Sequence, residues 1–176
     1  MSEVVLIDPP FPERPWDINW ITQFPPKGLL YIASALRDAG IDVSVLDTKI
    51  MQYEKPSLLK RSIEEITTLV KNKMRRMQPK IVAITSTTIS YLSALEIAKA
   101  VKESSPETMV VIGGVHATFT SEDTLKNSCI DVVVRGEGEN TMIDLANNMP
   151  LKDVKGISYR SQGKIVHNTD RPFLNG

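Results

Sequence analysis

Three stretches of the chain gather residue types that can do chemistry. The first is Thr85-Ser86-Thr87-Thr88, a run of hydroxyls behind an apolar tetrad. Hydroxyls of this kind cap a helix or exchange hydrogen bonds with a polar ligand. The second is Gly113-Gly114, two residues without side chains at the end of another apolar run, with His116 just beyond. Glycine there permits positive φ and close approach of another group. The third is Gly136-Glu137-Gly138, which sets a carboxylate among backbone donors. It is no dinucleotide fingerprint, because Thr141 stands where the third glycine belongs and the run follows the last strand of the series. Asp8, Asp47, His116 and Glu137 are the groups suited to acid–base work, although their spacing indicates no nucleophile–base pair.

Composition narrows the possibilities. Lys plus Arg and Asp plus Glu each number 21, so no net field draws the molecule to nucleic acid or an anionic membrane. Cys129 is the single cysteine, which excludes an internal disulfide and any cysteine-built zinc or iron–sulfur site within these residues. His116 has no second ligand nearby in sequence and reads as a hydrogen-bonding residue. No basic leader and no run of about 20 apolar residues occurs, so a cytoplasmic location without a membrane span is expected.

The elements that must position these residues follow from periodicity. Val4–Ile7, Val43–Leu46, Ile81–Ile84, Met109–Ile112 and Asp131–Val134 are apolar runs, interrupted only by Ser44 and opened by Asp131 in the last, and are expected as strands buried on both faces. Helical spacing runs over Gly28–Ala39, ending at Gly40, over Leu58–Met77, ending before Pro79, and over Tyr91–Lys102. In the last of these, Ser93 and Glu96 are spaced as a capping box. Shorter helices are expected over Glu122–Asn127 and Asn140–Asn147. Alternation of strand and helix predicts a flavodoxin-like α/β fold, a doubly wound five-stranded parallel sheet of order 2-1-3-4-5. Ligands of such sheets sit over the carboxyl ends of the strands, where the order reverses.

Two segments depart from this rhythm. The loop after Asp8 carries six prolines before Gly28, so it cannot wrap a phosphate in backbone donors. Its aromatics Phe11, Trp16, Trp20 and Phe24 either pin the loop to the domain or wall a large flat ligand. Beyond residue 155, "ISYRSQGKIVHN" alternates about Ser161-Gln162-Gly163 and predicts a C-terminal β-hairpin over 156–168. Residues 169–176 have no periodicity and read as a linker. Arg135 and Glu137 are placed to pair at the surface.

Taken in order, "PPKGLLYIASALRDAG" (25–40), "VLD" (45–47), "VAITSTT" (82–88), "VVIGGVHAT" (110–118), "DVVVRGEGENT" (131–141) and "GISYRSQGKIVHN" before Arg171-Pro172 resemble the amino-terminal cobalamin-binding domain of cobalamin-dependent radical S-adenosylmethionine enzymes. The resemblance covers nearly the whole chain. It implies a cobalamin-binding Rossmann-like domain over 1–155, with the corrin over the strand ends and the nucleotide tail between sheet and helices. Asp8, Pro10, Thr85, Ser86, Thr88, Gly113, Gly114, His116, Gly136, Glu137 and Gly138 are then the cofactor-binding candidates. Thr85 stands where such domains have serine, and Thr87 where they have an apolar residue.

Methionine-synthase-like cobalamin modules supply an imidazole to cobalt from Asp-x-His-x-x-Gly. Here Asp8 is followed by Pro10 in the histidine place and Glu13 in the glycine place, so the expectation is base-off cobalamin with no ligand from this loop. The resemblance further implies a C-terminal radical S-adenosylmethionine domain beyond residue 176, holding S-adenosylmethionine and a [4Fe-4S] cluster, in a parent methyltransferase. This chain alone is then a methyl-carrier module without turnover. The rivals are a small α/β enzyme acting on a nucleotide or sugar through Asp8, Asp47, His116 and Glu137, and a domain that has lost its cofactor.

Overall fold

The computed structural model describes residues 3–11, 25–53 and 62–172. Its strands are β1 (Val4–Asp8), β2 (Val43–Asp47), β3 (Ile81–Thr85), β4 (Met109–Gly113), β5 (Val132–Val134), β6 (Ile157–Ser161) and β7 (Lys164–His167). The helices are α1 (Lys27–Asp38), α2 (Thr48–Tyr53), α3 (Ile63–Met77), α4 (Tyr91–Ser104), α5 (Val115–Phe119), α6 (Ser121–Leu125) and α7 (Glu139–Ala146). All strands lie in one sheet of order β2-β1-β3-β4-β5-β6-β7. The first five are parallel in the expected order 2-1-3-4-5, and the hairpin, rather than standing apart, continues the sheet antiparallel to β5.

Strand alternation divides the core. Val5, Ile7, Val82, Ile84, Val110 and Ile112 point toward α3 and α4, where Ile66, Val70, Ile97 and Val101 meet them. Val4, Leu6, Ala83, Val111 and Val134 point the other way, onto Leu29 and Leu36 of α1 and Met142 and Leu145 of α7. Both faces of the central strands are therefore dry, which is why their sequences are apolar without a break. β2 departs from that expectation: it lies at the sheet edge and all five of its residues keep some exposure, Val45 most.

Helix boundaries have local causes. Gly40, at φ +78°, closes α1, with Ile41 N–H donating to Leu36 O across the turn. Gln78 takes the left-handed conformation to end α3 ahead of Pro79. That helix begins at Ile63; positions 58–61 of the expected helix lie outside the described residues. The Ser93–Glu96 capping box is not formed, because α4 starts at Tyr91, which buries Ser93 inside the helix and leaves Glu96 paired with Lys99. The helix expected over 122–127 is α6, starting one residue earlier and ending two earlier; α5, which no period announced, precedes it and meets it at Thr120.

The segment after the hairpin is fastened. Arg135 donates to Ile157 O, Ser158 Oγ and Asn168 O and pairs with Asp170, replacing the expected pairing with Glu137. Arg171 bonds Thr141 Oγ1 and Asp144 of α7. Arg160 covers the carbonyls of Leu125, Asn127 and Ile130.

Candidate functional site

Parallel register lines up the carboxyl ends of the strands. Asp47 lies beside Asp8 and Thr85 beside Gly113, with β1 next to β3 at the point where the order reverses. Residues two apart in a strand share a face. Thr85 therefore follows Ala83, and Gly113 follows Val111, onto the α1/α7 side. The hydroxyl and the bare backbone are thus adjacent on one face of the rim.

The loops after β3 and β4 are knitted together. Ser86 N–H donates to Gly113 O at 2.8 Å, and the buried Ser86 hydroxyl donates to the same carbonyl at 3.0 Å. His116 N–H reaches Ser86 O at 3.3 Å, while its Nδ1 lies 3.2 Å from Thr88 Oγ1. The His116 ring packs on Tyr91 with centroids 4.2 Å apart. Thr118 Oγ1 donates to Gly114 O at 2.9 Å and accepts from Gly136 N–H at 3.2 Å. Six of the expected residues, Ser86, Thr88, Gly113, Gly114, His116 and Gly136, are brought into this one network, and Thr85 lies beside it, paired with Gly113 in the sheet.

The glycine that ends β4 and the one that follows it have different causes. Gly114 has φ +93°, and a Cβ there would sit 2.6 Å from Ser86 O and 2.9 Å from Ser86 N. Its missing side chain is required by the crossing of two backbones. At Gly113 an added Cβ would find nothing closer than Val134 O at 3.6 Å, an ordinary contact. Among the described residues no neighbour demands glycine at 113, so its bare backbone leaves a cradle on the α1/α7 face. Gly138, at the start of α7, lies against Ile32 of α1, whose Cδ1 would meet an added Cβ at 2.9 Å. Glu137 is exposed beside it.

The corner formed by β1 and β2 is built otherwise. Asp8 is buried, its carboxylate paired with Lys49 Nζ, and its carbonyl accepts from Thr48 Oγ1 at 2.6 Å. Burial pushes the Asp8 carboxyl above its ordinary value; the hydrogen bond and charge of Lys49 oppose this, and Asp47 adds to it. Pro9 and Pro10 are buried, and Phe11 is partly so, with Lys49 Nζ 5.4 Å from its ring centroid. Trp16, Trp20 and Phe24 lie outside the described residues.

Apolar side chains crown the β3–β4 side. Ile89 is 65% exposed, Leu92 74%, Val115 68% and Phe119 85%. Among the described residues no group of His, Cys, Asp or Glu is arranged to hold a metal ion, and no helix is long and apolar enough to cross a membrane. The acid–base reading is not supported. Asp8 is held by Lys49, Asp47 Oδ1 accepts from the N–H groups of Lys49 and Ile50 at 2.9 and 3.1 Å, and His116 faces Thr88 and Tyr91 beyond β4.

Sequence reasoning missed Lys49 and the helix that carries it. The available signal was Asp47 as an N-cap, an aspartate directly ahead of Thr-Lys-Ile-Met. Its helix is six residues long, too short to declare a period.

Comparison with known proteins agrees with this geometry. The family model described as "B12 binding domain" matches residues 21–146. An uncharacterized methyltransferase of Pyrococcus horikoshii is 36% identical over 158 residues, covering 87% of this chain and 32% of that protein. The anaerobic magnesium-protoporphyrin IX monomethyl ester cyclase of Cereibacter sphaeroides is 33% identical over 162 residues, covering 86% and 24%. The chain thus spans about a third or less of the length of these relatives. Among solved structures, the radical S-adenosylmethionine methyltransferase TsrM of Kitasatospora setae, with cobalamin and a [4Fe-4S] cluster bound, superposes with a TM-score of 0.74 at 18% identity. That likeness covers all of this chain and 30% of TsrM, and it shows the shared fold.

Proposed function

This chain belongs to the B12-binding domain family, and we propose that it holds base-off cobalamin over the carboxyl ends of β1, β3 and β4 as the cofactor module of a longer radical S-adenosylmethionine enzyme. The observation that carries the site is Gly113. Its bare backbone lies beside Thr85 on the α1/α7 face, and no contact among the described residues calls for glycine there. Such a cradle suits the polar tail of the cofactor, with Thr85 as hydroxyl partner. The buried Ser86 hydroxyl and the His116 ring act one step back, fixing the two loops that form the rim. The exposed Ile89, Val115 and Phe119 give a large flat ring the apolar contact it needs.

When bound, cobalamin supplies a cobalt centre able to carry a methyl group. The chain's own part is to bind and orient. Its two histidines are engaged elsewhere, His116 with Thr88 and His167 with Ser158 Oγ at 2.8 Å, and Pro10 offers no donor. We therefore expect no protein imidazole on cobalt. The names of the relatives divide between methyltransferase and cyclase, which puts the choice of reaction in the remainder of the protein. We read the parent as a methyltransferase. Its S-adenosylmethionine and [4Fe-4S] cluster would lie in a following domain, with residues 169–176 as the connection.

The test is direct. Protein mixed with hydroxocobalamin and desalted is expected to retain one cobalamin per chain with a base-off visible spectrum. Gly113→Leu is expected to stay folded by circular dichroism and lose the colour. A spectrum showing histidine coordination overturns the base-off assignment. Undiminished capture by Gly113→Leu overturns the cradle.

A further inference from the structure

Lys49 has no explanation in the stability of the fold. Lysine is among the residues least often buried, and a buried ion pair is commonly no more stabilising than apolar residues of the same volume. The helix that carries it is already anchored twice, by Asp47 capping its first amides and by Thr48 Oγ1 bonding to Asp8 O. Yet Lys49 and Asp8 are both buried, paired to each other at the carboxyl ends of the two strands beside the switch point. What the pair does touch is the loop after β1. The ammonium lies 5.4 Å from the centroid of Phe11, within the range where a cation is attracted to a ring face. Pro9 and Pro10, both buried, precede that ring with fixed φ and no N–H donor.

We propose that Lys49 is a positioning residue for the cofactor: anchored by Asp8, its ammonium holds the partly exposed Phe11 ring, backed by the buried Pro9-Pro10, as a stiff apolar floor on which the corrin rests. The assignment builds on the cobalamin reading above. Neither Lys49 nor Phe11 needs to contact cobalt. Their joint effect is to present a flat surface that is already ordered before the cofactor arrives, which reduces the ordering cost of binding.

The experiment is a hydroxocobalamin titration followed by visible absorbance and circular dichroism on the wild type, Lys49→Met, Phe11→Leu and the double variant. Each single change is expected to raise Kd about tenfold, and the double change no more than Lys49→Met alone, because the two residues act as one unit. The dichroism bands of the bound corrin are expected to shift alike in both single variants. Phe11→Leu leaves the buried pair intact, so the cofactor-free protein should melt as the wild type does. If Lys49→Met does not fold, Asp8→Leu/Lys49→Met, which strands no charge, takes its place. Single variants that bind within about twofold of a binding wild type overturn the role of Lys49 alone, as does a multiplicative loss in the double variant. A wild type that captures no cobalamin overturns the cofactor reading and this inference with it.

Discussion

The carboxyl ends of β1–β2 and of β3–β4 are neighbours in one sheet, yet they are closed in opposite ways. At β3–β4 backbone lies on backbone: Gly114 admits Ser86 at a distance no side chain would tolerate, and neutral hydroxyls complete the knot. At β1–β2 the closure is a buried charge pair whose ammonium faces a phenyl ring. The first arrangement has no slack in shape; the second has none in charge. A rim that must stay open for a ligand gains from the former, because it fills no space, and a floor that must not move gains from the latter.

The contrast can be broken at four points. Gly114→Val should have the largest effect, a loss of about 4 kcal/mol in urea unfolding, since it adds a Cβ against the Ser86 backbone at a positive φ. A melting temperature near that of the wild type would show that the crossing yields. Lys49→Met should cost about 3 kcal/mol by stranding the buried Asp8 carboxylate, whereas Asp8→Leu/Lys49→Met should fall within about 1 kcal/mol of the wild type. Equal losses in both would mean that packing, not charge, closes that corner. Gly113→Ala should change stability by less than about 1 kcal/mol, because its Cβ meets only ordinary contacts. A loss as large as that of Gly114→Val would erase the distinction between the two glycines.

The smallest effect is a pH dependence. The folded Asp8 carboxyl keeps its proton to higher pH than the unfolded one. Its favourable contribution is therefore complete below the ordinary aspartate value, near pH 4, and is lost as pH rises through the folded value. Unfolding free energies of wild type and Asp8→Asn, compared from pH 4 upward, should show the wild type losing ground. A difference that grows with pH would reverse the assignment.

Much of the architecture was legible because its causes are local. Unbroken apolar tetrads mark strands covered on both faces, and Gly40 and Pro79 mark helix ends through their own backbone restrictions. The rim loops followed from those elements, so Thr85, Gly113 and His116 could be placed on the rim by position. What escaped depends on partners remote in sequence. Arg135 meets Asp170 and Arg160 meets Ile130 only after the sheet has formed. The Ser93–Glu96 spacing was misleading because a three-residue interval fits a helix interior as well as its start. Lys49 was hidden for the same reason as the arginines: an isolated lysine in a sequence gives no sign that Asp8, forty-one positions earlier, will bury it.

The hairpin turns at Gln162-Gly163, both in the left-handed region, and its two strands add an even number of reversals to a parallel sheet. β6 descends from the carboxyl end of β5 and β7 climbs back, so His167 pairs with Ser158 near the level where β5 ended. The polypeptide accordingly arrives at position 172 on the side of the parallel strands' carboxyl ends, tied there by Arg135 and Arg171. A single extra strand would have delivered it to the opposite pole. Parity alone thus decides that the chain leaves the hairpin at the same pole as Thr85 and Gly113.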